Sequence, residues 1–120
     1  MHRRTKILKL LIAGSRSIRD VDISAYVPDE TELIISGGAE GVAAIAEKYA
    51  DEHGLPKRIF QPRYDLYGRA APIRRNAEMV DLADVVLAIW DGVSSGTKHT
   101  ISYAKKKNKV LVVLSFDGAR

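Results

Sequence analysis

Five short apolar runs, at 6–13, 32–36, 57–61, 84–90 and 109–116, set the terms on which this chain can fold. Their interiors, among them "LIIS", "DVVLAIW" and "VLVVLSF", are nearly continuous in apolar residues and do not alternate with polar ones. A strand reads that way when both faces of its sheet are covered, which is the condition of parallel strands joined by crossover helices. The intervening segments supply the helices. Val42, Ile45, Ala46, Tyr49, Ala50 and His53 recur at helical spacing until Gly54 and Pro56 stop the pattern. Ile73, Ala77, Val80 and Ala83 form a second stripe before the fourth run, and Thr97, Ile101 and Ala104 a third before the fifth. The segment 18–27 is a shorter, weaker helix expectation.

Strands alternating with helices predict an α/β chain, a three-layer Rossmann-like fold whose five-stranded parallel sheet has the order 3-2-1-4-5 or 2-1-3-4-5. Punctuation favours 3-2-1-4-5. The first run ends in "AGSRS", the second in "SGGAEG" and the fourth in "WDGVSSGT", whereas the third ends in "QPRYDLYG". The order 3-2-1-4-5 sets the three glycine-marked turns side by side at the switch point, where open α/β sheets bind ligands. The expected site is a crevice over strands 2, 1 and 4.

With 120 residues, 46% of them hydrophobic, and no internal repeat or linker, residues 1–120 are expected to form a single domain. The chain has no cysteine, which removes disulfides and thiolate zinc sites, and His2, His53 and His99 lack metal-ligand spacing, so no metal is expected. The amino end, "MHRRTKILKLLIAG", joins a basic flank to a short apolar segment without an A-x-A cleavage pattern, and is read as the first strand of a cytoplasmic protein. No run approaches the roughly 18 apolar residues of a membrane span. The net charge of +4, supplied in part by Arg3, Arg4 and Lys105, Lys106 and Lys107, is compatible with phosphorylated ligands or nucleic acid without choosing between them.

The glycine turns carry the chemistry. Gly37, Gly38 and Gly41 let the backbone approach a phosphate, and Ser36 and the amides of the following helix can donate to it, although a turn needing φ > 0 accounts for the same glycines. In "DGVSSGTKHT", Gly92 and Gly96 flank Ser94 and Ser95, and Thr97 follows; plain N-capping uses one hydroxyl, not four. Arg16, after Gly14 and Ser15, is placed to clamp phosphate or to form a surface ion pair. Arg74 and Arg75 precede Asn76 at a helix start, where only one of two adjacent arginines can face a crevice. Tyr64 and Tyr67 lie in a loop that can stack on a base or simply pack, and Asp91, at the end of the fourth strand, can accept from ribose hydroxyls. The chain has no G-x-G-x-x-G after its first strand, no G-x-x-x-x-G-K-[ST] and no G-x-S-x-G, which removes the main support for dehydrogenase, P-loop and α/β-hydrolase readings.

Taken together, "LIAGSRSIRD", "ELIISGGAEGV", "YGRAAPIRRNAEMVDLADVVLAIWDG" and "SSGTKHTISYAKKK" resemble the YspA/YpsA-related branch of the SLOG superfamily, whose wider membership includes the LOG phosphoribohydrolases and the SMF/DprA DNA-processing proteins. The resemblance runs over 6–113. It implies a Rossmann-like domain that binds a nucleotide or a nucleotide-derived ligand of the NAD or ADP-ribose kind, as a sensor or accessory protein. The ligand roles it implies fall on Gly14, Ser15 and Arg16, on Ser36, Gly37, Gly38 and Gly41, on Arg75 and Asn76, and on Asp91, Gly92, Gly96, Thr97 and Thr100. Two positions depart from the pattern. Ala43 stands where relatives often have aspartate, and "GTKHTI" carries His99 and Thr100 where the LOG enzymes place a catalytic glutamate. LOG-type cleavage of an N-glycosidic bond is therefore the alternative, with Glu40 the one substitute acid, and DprA-like binding of single-stranded DNA is the second. The resemblance also admits a homodimer, for which no stretch of the sequence marks an interface.

Overall fold

The structure, a computed structural model, describes residues 7–116. The expected strand start at Lys6 and the basic residues His2, Arg3 and Arg4 lie outside the described residues. Strands β1 (Leu8–Gly14), β2 (Thr31–Ser36), β3 (Lys57–Ile59), β4 (Val85–Trp90) and β5 (Val110–Ser115) form one parallel sheet in the order β3-β2-β1-β4-β5. Helices α1 (Val42–Glu52), α2 (Tyr64–Tyr67), α3 (Ala71–Leu82) and α4 (Ser95–Lys106) join them. This is the expected three-layer, Rossmann-like α/β architecture with the preferred strand order.

Alternate residues of the central strands feed two separate cores. Leu10, Ile12, Ile34, Leu87 and Ile89 pack with Val42, Ala46 and Ala50 of α1, while Leu11, Ile35 and Val86 pack with Met79, Val80 and Ala83 on and just after α3 and with Ala104 of α4. The register puts Leu11 beside both Ile35 and Val86, so each apolar layer is continuous across β2, β1 and β4. Burial of each such side chain stabilises the fold by about 1.5–3 kcal/mol, which explains why β1, β2 and β4 read as unbroken apolar runs. The edge strands differ. All three residues of β3 are exposed, and Val110, Val112 and Val113 of β5 are exposed despite an equally apolar sequence, because an edge strand has a sheet neighbour on one side only.

The segment 18–27 is not the helix its composition suggests. Ile18 and Ile23 are buried in the α1-side core, yet only Ser24–Tyr26 winds, as one 3-10 turn. The Asp22 carboxylate accepts from both the backbone N–H (3.0 Å) and the hydroxyl of Ser24, a local turn that competes with helix for the same backbone groups. Among the described residues, no helix is long and apolar enough to cross a membrane.

Candidate ligand crevice

In a parallel sheet all strands end on the same side, so the carboxyl ends of β2, β1 and β4, at Ser36, Gly14 and Trp90, are neighbours. Each helix that follows a strand starts at that edge. The amino ends of α1, α3 and α4 consequently converge on one crevice of about 740 Å³. Of the residues singled out in the sequence, Gly14, Arg16, Gly37, Gly38, Tyr64, Arg75, Asn76, Asp91, Ser94, Ser95, Gly96, Thr97 and Thr100 line it. Ser15, Ser36, Gly41, Gly92 and Glu40 do not.

The residues beneath the lining hold the walls together. Ser15 is buried at 1% exposure; its hydroxyl accepts the Asp91 backbone N–H at 3.0 Å and lies 2.9 Å from the Ser94 hydroxyl. Because Ser94 spends its own proton on Thr97 Oγ1 (3.1 Å), Ser15 is the donor to Ser94, and among the described residues the Thr97 proton at the crevice wall has no acceptor. Ser36, also buried, donates to Glu47 Oε2 at 2.8 Å and receives the Gly38 N–H at 3.2 Å. Gly41 has φ 71° and abuts the backbone of Ser15 and Arg16, where an added Cβ would lie 2.6 Å from Arg16 Cα. Gly14 has no room for a side chain either: a Cβ there would meet the Ile89 carbonyl and, at 2.6 Å, Val42 Cγ2. These two glycines let α1 dock onto the end of β1.

Arg75 faces the crevice, whereas its neighbour Arg74 lies over the Tyr67 ring at 4.4 Å, so the two arginines part as adjacent helical residues must. The Arg75 guanidinium donates to the carbonyls of Gly37 (2.8 Å) and Phe60 (3.2 Å) through Nη1 and to Asn76 Oδ1 (2.9 Å) through Nε. Among the described residues, Nη2 makes no hydrogen bond and no carboxylate forms an ion pair with Arg75. Burial lowers its proton affinity, although an arginine stays charged throughout the physiological range.

At the opposite wall, Asp91 organises the "WDGVSSGT" turn. Its Oδ1 accepts the backbone N–H groups of Val93 and Ser94, both at 2.8 Å, and its Oδ2 the Ser17 hydroxyl at 2.8 Å. The Ser94 and Val93 amides, then the Ser17 hydroxyl, hold the Asp91 carboxyl far below the usual carboxylate range. Trp90 donates its indole N–H to the Ser94 carbonyl at 3.0 Å and so acts as a staple for the turn. With Ser94 committed to Ser15 and Thr97, its side chain makes no cap hydrogen bond to α4. The amides of Ser95, Gly96 and Thr97, which have no intrahelical acceptor, point out of the helix start that lines the crevice.

Glu40 has a different assignment. Its carboxylate pairs with Arg19 and, at 3.6 Å, with Arg16, and these two arginines, Arg19 first, hold it below its ordinary pKa. Asp91 is the single carboxylate among the described lining residues. The crevice also takes in residues that glycine punctuation did not flag, notably Gln61, Pro62 and Met79. Gln61 and Pro62 sit just past the end of β3, so proximity to a strand's carboxyl end was the signal available for them. Comparison of the chain with protein-family models, with curated proteins and with solved structures gives no match.

Proposed function

We propose that the crevice binds the phosphate of a nucleotide or nucleotide-derived ligand, and that the protein belongs with the SLOG-type domains its motifs resemble and acts as a sensor or accessory protein. The observation that carries this reading is Arg75, a half-buried cation with no carboxylate partner among the described residues and one guanidinium nitrogen unspent, on the same crevice as the α4 amino end. The α4 terminus supports it with three amides and a Thr97 proton that have no acceptor among the described residues, the groups a phosphate accepts from. Binding without hydrolysis is the preferred form, since Asp91 is tied by three hydrogen bonds and Glu40 is engaged outside the lining.

The magnitudes limit what phosphate alone can do. A charge-assisted hydrogen bond contributes about 1.5–3 kcal/mol and a helix terminus about 0.3–2 kcal/mol. Their sum is near the roughly 4 kcal/mol of a millimolar complex, so the remainder of the ligand has to contribute. Titration calorimetry with ribose 5-phosphate and AMP tests the reading, with Ser95→Glu as the variant. An acid in the first turn of α4 favours the helix while opposing a bound phosphate, so folding should be retained and affinity should fall more than about tenfold. Unchanged affinity in Ser95→Glu, or no binding of either probe by the wild-type chain, overturns the proposal.

A further inference from the structure

The β3 side of the crevice holds two side chains that the fold itself does not use. Tyr64, the first residue of α2, lines the crevice yet is 61% exposed. Among the described residues its hydroxyl makes no hydrogen bond and its ring has no stacking partner. The nearby aromatic rings differ: Arg58 covers Phe60 at 4.6 Å and Arg74 covers Tyr67 at 4.4 Å. Gln61 is the second. Its amide stands over Gly38, where an added Cβ would come within 2.6 Å of Nε2, and it too has no hydrogen bond among the described residues. Pro62, between them on the same wall, restricts the Gln61 backbone to extended conformations and so limits where that amide can go.

A large aromatic ring left open on a concave surface suits a flat partner, and an amide that offers donor and acceptor together suits the edge of a base. The two groups are also near the phosphate donors. Arg75 bonds Gly37, the residue before the glycine under Gln61, and Tyr64 lines the same crevice as Arg75. We infer that the Tyr64–Gln61 wall is a nucleobase subsite, in which the Tyr64 ring stacks on the base and the Gln61 amide reads its hydrogen-bonding edge, while the phosphate of the same ligand lies toward Arg75 and α4. The inference rests on the phosphate reading above and adds the class of ligand that the crevice selects: a nucleotide with its base attached, in preference to a sugar phosphate.

The test is calorimetric comparison of ribose 5-phosphate with AMP on the wild-type chain and on Tyr64→Ala, Tyr64→Phe and Gln61→Leu. Stacking on an aromatic side chain should make AMP bind roughly ten- to a hundredfold more tightly than ribose 5-phosphate. Tyr64→Ala should erase most of that advantage and leave ribose 5-phosphate binding unchanged, Tyr64→Phe should keep it, and Gln61→Leu should level affinities across AMP, GMP and CMP. Because Tyr64 is exposed, circular dichroism of the alanine variant should match the wild type. Equal affinity for AMP and ribose 5-phosphate, or an equal loss of both in Tyr64→Ala, overturns the base subsite while leaving phosphate binding in place. No binding of ribose 5-phosphate or AMP removes the phosphate reading, and the subsite with it.

Discussion

The Arg75 guanidinium donates to the carbonyl oxygen of Gly37 at 2.8 Å, across 38 residues of sequence. A side chain on α3 thereby fixes the first glycine of the β2 turn. The same nitrogen reaches the Phe60 carbonyl, so one cation ties the ends of β2 and β3 to α3, and among the described residues its Nη2 makes no hydrogen bond.

Arg75→Ala is accordingly expected to affect folding as well as binding. Two backbone carbonyls lose their donor, at a cost of about 1–3 kcal/mol in urea denaturation, together with loss of phosphate affinity in calorimetry. Unchanged stability with lost affinity would show that Arg75 serves the ligand and that the carbonyls do not depend on it.

Ser15→Ala should destabilise the chain by about 1–3 kcal/mol, since the part-buried Asp91 N–H and the Ser94 hydroxyl both lose their partner. Ser15 does not line the crevice, so any loss of affinity must come through the lining residues it holds, Asp91 and the Ser94–Thr97 relay. Ser15→Cys, close in shape but a poor acceptor, should fall between wild type and alanine.

Two glycine-to-alanine variants should move stability in opposite directions. In Gly14→Ala the new methyl meets the Ile89 carbonyl and Val42, and overpacking against a backbone atom costs at least about 1–3 kcal/mol. In Gly96→Ala nothing lies within 4 Å of the added Cβ, the residue is helical, and stability should rise by up to about 1 kcal/mol. Thermal melting of the pair checks both signs.

Asp91 sets an acid limit. Its carboxyl has a lower pKa folded than unfolded, so its contribution is complete above the ordinary aspartate value of about 3.9 and is lost as pH falls toward the folded value. The stability difference between wild type and Asp91→Asn should therefore be constant at neutral pH and shrink progressively below about pH 4. A difference that stays flat down to pH 3 would remove the turn-organising role of its charge.

The parallel sheet was legible because both cores are made from local runs whose burial shows as unbroken aliphatic sequence at Leu10–Ile12, Ile34–Ile35 and Val86–Ile89, and its order was read from where the glycine turns fall. The glycine turns revealed the edge where the crevice opens. What individual residues do there was less legible, since it depends on partners far along the chain. Ser15 and Ser36 read as ligand donors, but their hydroxyls are committed to Ser94 and Glu47, 79 and 11 residues away. Segment 18–27 carried helix-compatible apolar spacing, and its outcome turned on the short bonds from Ser24 to Asp22. Gln61 escaped notice because nothing in its local sequence sets it apart from a loop glutamine; its position over Gly38 comes from the β2–β3 pairing.

The β1–β4 seam has a consequence for how the protein comes into being. Leu10 pairs with Val85, so the centre of the sheet joins segments separated by most of the chain, and the crevice straddles that join. Long-range parallel pairing is slow to form because chain closure must precede its reward. During synthesis the first three strands, with Arg16, the glycine turn and Arg75, emerge before β4 and α4 exist to complete the opposite wall. Ligand affinity should thus arrive in a single step at the end of folding, and a nucleotide that binds there would act on the nascent chain as a selector of the finished fold.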